Sequence, residues 1–422
     1  MDLDRVVSEL GIEESRELLK LEWDASQGAM SDGEVSFLSR AFVKEACKGI
    51  YLPEEISGAA VDAAKQVAEN PALCALVWHC HWCLYQCEGY RSGVADSWPS
   101  MERVLGDADG LFYLLVLLSW FPHMEAVHRT HSLPEPVVRE SMDQIYRRGV
   151  SCSEMFGRWG LDGHAARWLS NYLWGEVYAL GRLVHQFSVI DDPIRVYRHR
   201  ESSMVIALSE DGVSYREDGQ RFRKGDTGRA WTSRLVVTGD KIVGHPILPT
   251  GCAVEQEVAL LAGEWDAVFG RGDPVLFFHI PGGIPLEHEP CGESFQAAME
   301  FFPRYFPERP YKAFYCSSWL LDTQLEDWLP PTSNLVRFLQ EFYLYPAGIS
   351  EMSILQTVFG GVLEDLSRAP RETTLQREIL DHLSEGKRID PGAGRCFLFP
   401  EDLAWGDQVY RNRKFAWHLV GR

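Results

Sequence analysis

In residues 1–185 the apolar positions recur at helical spacing. VSFLSRAFVKEA, AAVDAAKQVA, LCALVWHCHWCLY, LFYLLVLLSWF and VVRESMDQIYRR each carry an apolar stripe, which predicts a succession of helices. Pro53, Pro71, Pro122 and Pro134 punctuate the series, and Pro134 predicts a helix over 136–148. A longer helix is expected over 164–183. The pattern then shortens. RLVHQFSVI, IRVYRH, SMVIAL and VSYRED read as strands, separated by the turn clusters DDP and EDG. The stretch EDGQRFRKGDTGRAW, 217–231, is polar and Gly-rich and reads as a mobile loop or an insertion. Beyond it come an apolar strand over 275–279, a helix over 293–302 and another strand over 312–318. The expected fold is α+β: an all-helical N-terminal domain, 1–181, followed by an α/β domain with a mixed sheet, 182–422.

Length supports that division, because 422 residues exceed one ordinary core. Apolar residues make up 45% of the chain and charged ones 24%, as in a soluble globular protein. The net charge of −20 removes the basic footprint that nucleic acid requires, and it also disfavours an anionic membrane surface. No apolar run reaches the ~18 residues of a membrane span, so membrane insertion is not expected. LFYLLVLLSWF reads as a buried helix instead. The acidic, amphipathic start MDLDRVVSEL is no signal peptide, and ten cysteines without disulfide-like spacing fit a reducing cytoplasm.

Two stretches invite chemistry. Cys74, His79, Cys80, His81, Cys83 and Cys87 include zinc-like spacing. They lie in an apolar helical run with no second ligand pair downstream, so a core role is preferred and no metal is expected. The second stretch is VLFFHIPGGIPL, 275–286, where an apolar strand ends at His279 and enters a Pro-Gly-Gly turn. A strand end holds a side chain rigidly, glycines let a ligand approach the backbone, and a neutral imidazole accepts a proton. His279 is therefore a candidate general base, against the alternative of a core histidine satisfied by a carbonyl. His185 and His245 are weaker candidates that would line the same sheet. His123, His128 and His131 read as solvated helix ends. Cys316 is a conceivable thiol nucleophile, though a buried strand cysteine is the plainer reading. Ser333-Asn334 reads on its own as a cap or turn, and Trp319 as a core residue. GxSxG, P-loop and GxGxxG motifs are absent.

These residues together resemble the GNAT-like C-terminal domain of a two-domain family of bacterial N-acyltransferases, which includes those of glycopeptide antibiotic assembly. The pattern is a strand ending His279-Ile280-Pro281, the Gly282-Gly283 turn, an acidic-Ser helix at Glu293-Ser294, the strand end Cys316-x-Ser318-Trp319-Leu320-Leu321, and Ser333-Asn334. GLDGHAARWLSNYLWGEVYALGRLVHQF resembles the end of that family's helical domain, and GHPILPTG, GDPVL and APRETTLQREILDHL fit as well. Two departures stand out. After Gly-Arg the family more often shows Leu-Gln-Phe or similar, where this chain has Leu183-Val184-His185-Gln186-Phe187, and the 217–231 loop is longer.

The resemblance implies a cytoplasmic N-acyltransferase that moves an acyl group from acyl-CoA to an amine of a small-molecule acceptor. Parallel strands 275–279 and 312–318 would splay, and the pantetheine arm would enter the gap. His279 would be the base, or would polarise the base through water. Gly282 and Gly283 would contact the CoA phosphates, Ser333 and Asn334 the pantetheine or thioester region, and Trp319 the acyl chain. Ile280 and Ser318 complete the implied cofactor-binding set. Direct transfer is preferred to a Cys316 intermediate. The alternative is a non-catalytic acyl-CoA or metabolite binder on the same fold. Glu287 and Glu289 lie where phosphates would sit, and Arg304 and Lys312 are the expected compensating cations.

Overall fold

The computed structural model describes residues 1–30, 35–90, 93–347, 354–355, 358–359, 366–387, 389 and 393–421. The chain divides into two compact units, Met1–Leu180 and Gly181–Arg422.

The first unit is helical up to its last strand. Its centre is the helix Pro71–Tyr85, which is buried on nearly every side. Asn70 caps it by accepting from the N–H groups of Ala72 and Leu73 at 2.9 and 3.2 Å, and Pro71 occupies the first turn, where a missing N–H costs nothing. The apolar run near 111–121 forms the buried helix Asp109–Leu118 and breaks before Phe121–Thr130. Among the described residues no single helix is long and apolar enough to cross a membrane. The helix starting after Pro134 is longer than its sequence pattern, Glu135–Phe156. The expected helix over 164–183 does not form as such. It ends at Leu173, Gly175 takes a left-handed φ of 72°, and Val177–Leu180 is a strand. His128 is no solvated helix end, since burial pushes its pKa down to about 4.

The second unit is built on a mixed sheet. We label its elements β1 (Leu183–Val189), β2 (Pro274–His279), α1 (His288–Tyr305), β3 (Ala313–Ser317), α2 (Asn334–Leu339), β4 (Tyr343–Pro346) and β5 (Ala393–Leu398). Within the unit the order is β1-β2-β3-β5-β4. β2 and β3 run parallel and the other neighbours antiparallel. Paired residues share a face of a sheet. One face of β1, β2 and β3 carries His185, Phe278 and Phe314, and α1 packs there through Phe295 with ring centroids 4.9–5.8 Å away. The other face carries Gln186, Phe277, His279, Tyr315 and Ser317. A second, five-stranded antiparallel sheet draws its strands from residues 194–270. The polar 217–231 stretch forms the loop of a hairpin and the start of its returning strand. Ser214–Arg216 pairs with Ala230–Thr232, and the buried rings of Tyr215 and Trp231 stack at 4.9 Å.

Candidate active site

Parallel pairing of β2 and β3 ends at Phe277 and Tyr315. Both strands continue. β2 stays paired to β1 as far as His279, and β3 to β5 as far as Ser317. Each strand is therefore held on its outer side while the inner rungs stop, which leaves a gap in the ladder between two neighbouring parallel strands at their C-terminal ends. In an open α/β sheet this is where ligands enter.

His279 stands at the mouth of that gap. Its Nε2 lies 2.8 Å from Gln186 Oε1, and its ring lies 4.5 Å from that of Phe277. With the amide oxygen facing it, Nε2 carries the proton and the basic lone pair is on Nδ1. The tautomer is thus assigned from the network. Burial pushes the His279 pKa down to about 3, a penalty its residual solvent contact moderates, so the imidazole is neutral at physiological pH.

His185, one residue before Gln186, points through the opposite face. It is fully buried, with Nε2 3.2 Å from Ser294 Oγ and Nδ1 without a hydrogen-bond partner. Burial, then the neighbouring His279, lower its pKa to about 3. It belongs to the packing of α1 and not to the gap. His245 is not in this sheet. Its ring lies 4.9 Å from that of Trp231 at a tilt of 43°, and its Nδ1 is 3.3 Å from the Val254 carbonyl.

The turn after His279 is open. No heavy atom outside the local chain lies within 4 Å of where a Cβ would sit on Gly282 or Gly283, and Gly283 has φ of 77°, which favours glycine. Ile280 is half-buried beside it. The helix begins at His288, not near Glu293, so the turn is shorter than its sequence pattern suggests. Glu287 and Glu289 are both exposed at this helix start. Neither expected cation balances them. Arg304 is in the last turn of α1, about 24 Å along the axis by helical rise, and Lys312 pairs with Asp273 at 2.7 Å. Two other cations stand at this end, and neither carries a sequence signal: Arg337, whose Nη2 lies 3.2 Å from His288 Nδ1, and Arg182. Arg182 holds the turn itself. Its Nε and Nη2 donate to the carbonyls of Pro285 and Ile284 at 3.0 and 2.9 Å and tie the turn to the start of β1. No periodicity marks such a residue, because its partners lie more than 100 positions away.

The remaining sequence candidates sit around β3 and α2. Ser318 follows β3 and accepts from Leu320 N–H at 3.2 Å. Trp319 is half-buried against an apolar cluster of Ile354, Ile379 and Ile389. Ser333 is the first cap residue of α2, half-buried and making no side-chain cap bond, and Asn334 is exposed. Cys316 is buried on the α1 face, and burial pushes its thiol pKa up, so it stays protonated. A thiolate nucleophile is not available there.

In the first unit the Cys/His cluster is spent on its surroundings. His79 Nδ1 lies 2.9 Å from Ser26 Oγ, and His81 Nδ1 lies 2.6 Å from Ser119 Oγ. Burial lowers both imidazoles to about 4 and raises the Cys80 and Cys83 thiols. Among the described residues no three His, Cys, Asp or Glu side chains are grouped to hold a metal.

Residues 177–396 match the family described as the GNAT-like C-terminal domain, and residues 41–175 the N-acyltransferase N-terminal domain. The sequence matches no curated protein. Among solved structures, an acyltransferase mutant in complex with octanoyl-CoA is similar at 21% identity and a TM-score of 0.63, covering 94% of this chain and 99% of its own. An acyltransferase in complex with decanoyl-CoA and teicoplanin is similar at 20% identity and a TM-score of 0.60, with the same coverage. These likenesses extend the fold assignment over both units.

Proposed function

We infer, from a chain that belongs to the GNAT-like C-terminal domain family and carries an N-acyltransferase N-terminal domain, an acyltransferase that takes its acyl group from acyl-CoA and passes it directly to an amine of a small-molecule acceptor. The observation that carries this reading is the gap between β2 and β3 with His279 at its mouth. A linear pantetheine arm fits between strands that have stopped pairing, because unpaired backbone groups can bond to its amides. In this reading the phosphates lie on the Gly282-Gly283 turn, beside Ile280, and away from the acidic start of α1. Arg182 holds that turn in shape. Ser318, Ser333 and Asn334 border the arm, and Trp319 borders the acyl chain.

His279 is assigned as the base. Its lone pair accepts the proton that the attacking amine loses as the new N–C bond forms. The low pKa opposes an isolated imidazolium, yet the charge does not form alone. A tetrahedral oxyanion develops at the same moment, and the two opposite charges stabilise each other in a site of low dielectric. The protonated, buried Cys316 favours direct attack over a covalent intermediate.

The test is turnover of octanoyl-CoA or decanoyl-CoA with a panel of amines, followed by thiol release. The wild-type protein releases CoA only when an amine is present, and His279→Ala loses at least about 100-fold in rate, the scale of a positioned acid–base group. Full activity in His279→Ala overturns the base. Tight CoA binding without thiol release means a binding protein in place of an enzyme.

A further inference from the structure

The register that places His279 also determines what faces it. On the same side of the sheet, the residues that follow Phe277 and Tyr315 are His279 and Ser317. β5 pairs Arg395 with Ser317, and β4 pairs Tyr345 with Arg395. His279, Ser317, Arg395 and Tyr345 therefore form one row across the sheet, interrupted only by the gap. Ser317 is exposed, although the four residues before it in β3 are all buried.

A polar cluster built on a buried carboxylate stands behind this hydroxyl. Arg395 Nε donates to Ser317 Oγ at 3.5 Å, and Arg395 Nη1 donates to Asp192 Oδ1. Asp192 is 3% exposed, and its carboxylate also accepts from the hydroxyls of Tyr315 at 2.9 Å and Tyr345 at 2.6 Å. Burial, followed by the Asp192 charge, raises the pKa of both phenols, so they remain donors. Three donors on one buried carboxylate fix the guanidinium in place. Because Arg395 donates to Ser317, the serine oxygen is the acceptor of that bond and its O–H is left to point elsewhere. An adjacent positive charge makes that O–H a better donor.

We propose that Ser317 is a second catalytic residue, which hydrogen-bonds the sulfur of the departing CoA thiolate, with Arg395 and Asp192 as its positioning residues. The proposal rests on the acyl-CoA reading of the gap. The amine lone pair forms the N–C bond, the C–S bond breaks, and its electron pair stays on sulfur. The amine proton goes to His279 and then, through solvent, to the thiolate. Ser317 donates a hydrogen bond throughout and ends with its own proton, so the products are the amide and free CoA thiol.

The experiment compares wild type, Ser317→Ala and Ser317→Thr in single turnovers, which read chemistry and not CoA release. Each is given octanoyl-CoA and the octanoyl thioester of 4-nitrothiophenol, whose thiolate leaves without help. Ser317→Ala is expected to lose at least about tenfold with octanoyl-CoA, a modest share of what a positioned donor contributes. The loss should largely vanish with the nitrothiophenyl ester, and Ser317→Thr, which keeps the hydroxyl, should restore the CoA reaction. Asp192→Asn should show the same leaving-group dependence in weaker form. Equal losses with both thioesters, or no loss with octanoyl-CoA, would overturn the role of Ser317. If His279→Ala is inactive while Ser317→Ala is normal, only this proposal fails. A wild-type protein that leaves octanoyl-CoA intact with every amine overturns the reading on which it rests.

Discussion

Replacing His185 by phenylalanine should remove a defined part of the protein's sensitivity to acid. His185 is fully buried among Phe295, Phe302 and Phe314, and its pKa is lowered to about 3. In the unfolded chain it titrates near ~6.5. The folded state therefore binds fewer protons than the unfolded state between these values. Stability is complete above the unfolded pKa and is lost as pH falls through it, continuing down to the folded pKa. At pH 5 the unfolded chain has gained about 1.5 pH units of protonation free energy, which is about 2 kcal/mol at ~1.36 kcal/mol per unit. A phenyl ring at this position does not titrate and has no such contribution. Urea unfolding of wild type and His185→Phe at pH 7.5 and pH 5 measures it, if the transition of the second unit is followed separately from that of the first. The expected result is a fall in wild-type stability between the two pH values that exceeds the fall in the variant by about 2 kcal/mol. Equal falls would refute the claim that His185 is held neutral by burial.

Two further outcomes follow from the same packing. Cys316→Ala should keep its turnover, because the thiol faces α1 and stays protonated; loss of activity in a folded variant would restore the covalent route. Phe295→Ala removes the ring that α1 buries against Phe278, Phe314 and Phe342, and should cost about 3–5 kcal/mol in urea unfolding. A cost under about 1 kcal/mol would mean that α1 is not anchored there.

Much of this was legible in the sequence, for physical reasons that differ by element. The β2 strand is a continuous apolar run bounded by Pro and Gly, which is what a strand buried on both sides looks like. The start of α1 was not legible. Its buried positions there are His288, Cys291 and Ser294, polar or small residues that leave no apolar stripe, and Pro290 is tolerated only because it lies in the first turn. The expected 164–183 helix failed on VYAL at 177–180, four apolar residues that suit either state. The apolar neighbours of the Cys/His run mark it as core, and His79, Cys80, His81 and Cys83 are buried while Cys74 and Cys87 are only partly so; the hydroxyl partners Ser26 and Ser119 come from other segments. Gln186 and the Asp192–Arg395 pair were invisible for the same reason, since 93 and 203 residues separate the partners. Register brings Gln186 and Arg395 to one face, and Asp192 meets Arg395 from the loop after β1.

The proposed function requires that the gap between β2 and β3 hold the thioester beside His279. A crystal structure with a thioether analogue of octanoyl-CoA shows whether it does. The pantetheine arm is expected between Phe278 and Cys316, the phosphates on the Gly282-Gly283 turn, and the reacting carbonyl between His279 and Ser317. An analogue bound elsewhere, with the gap closed, would contradict it.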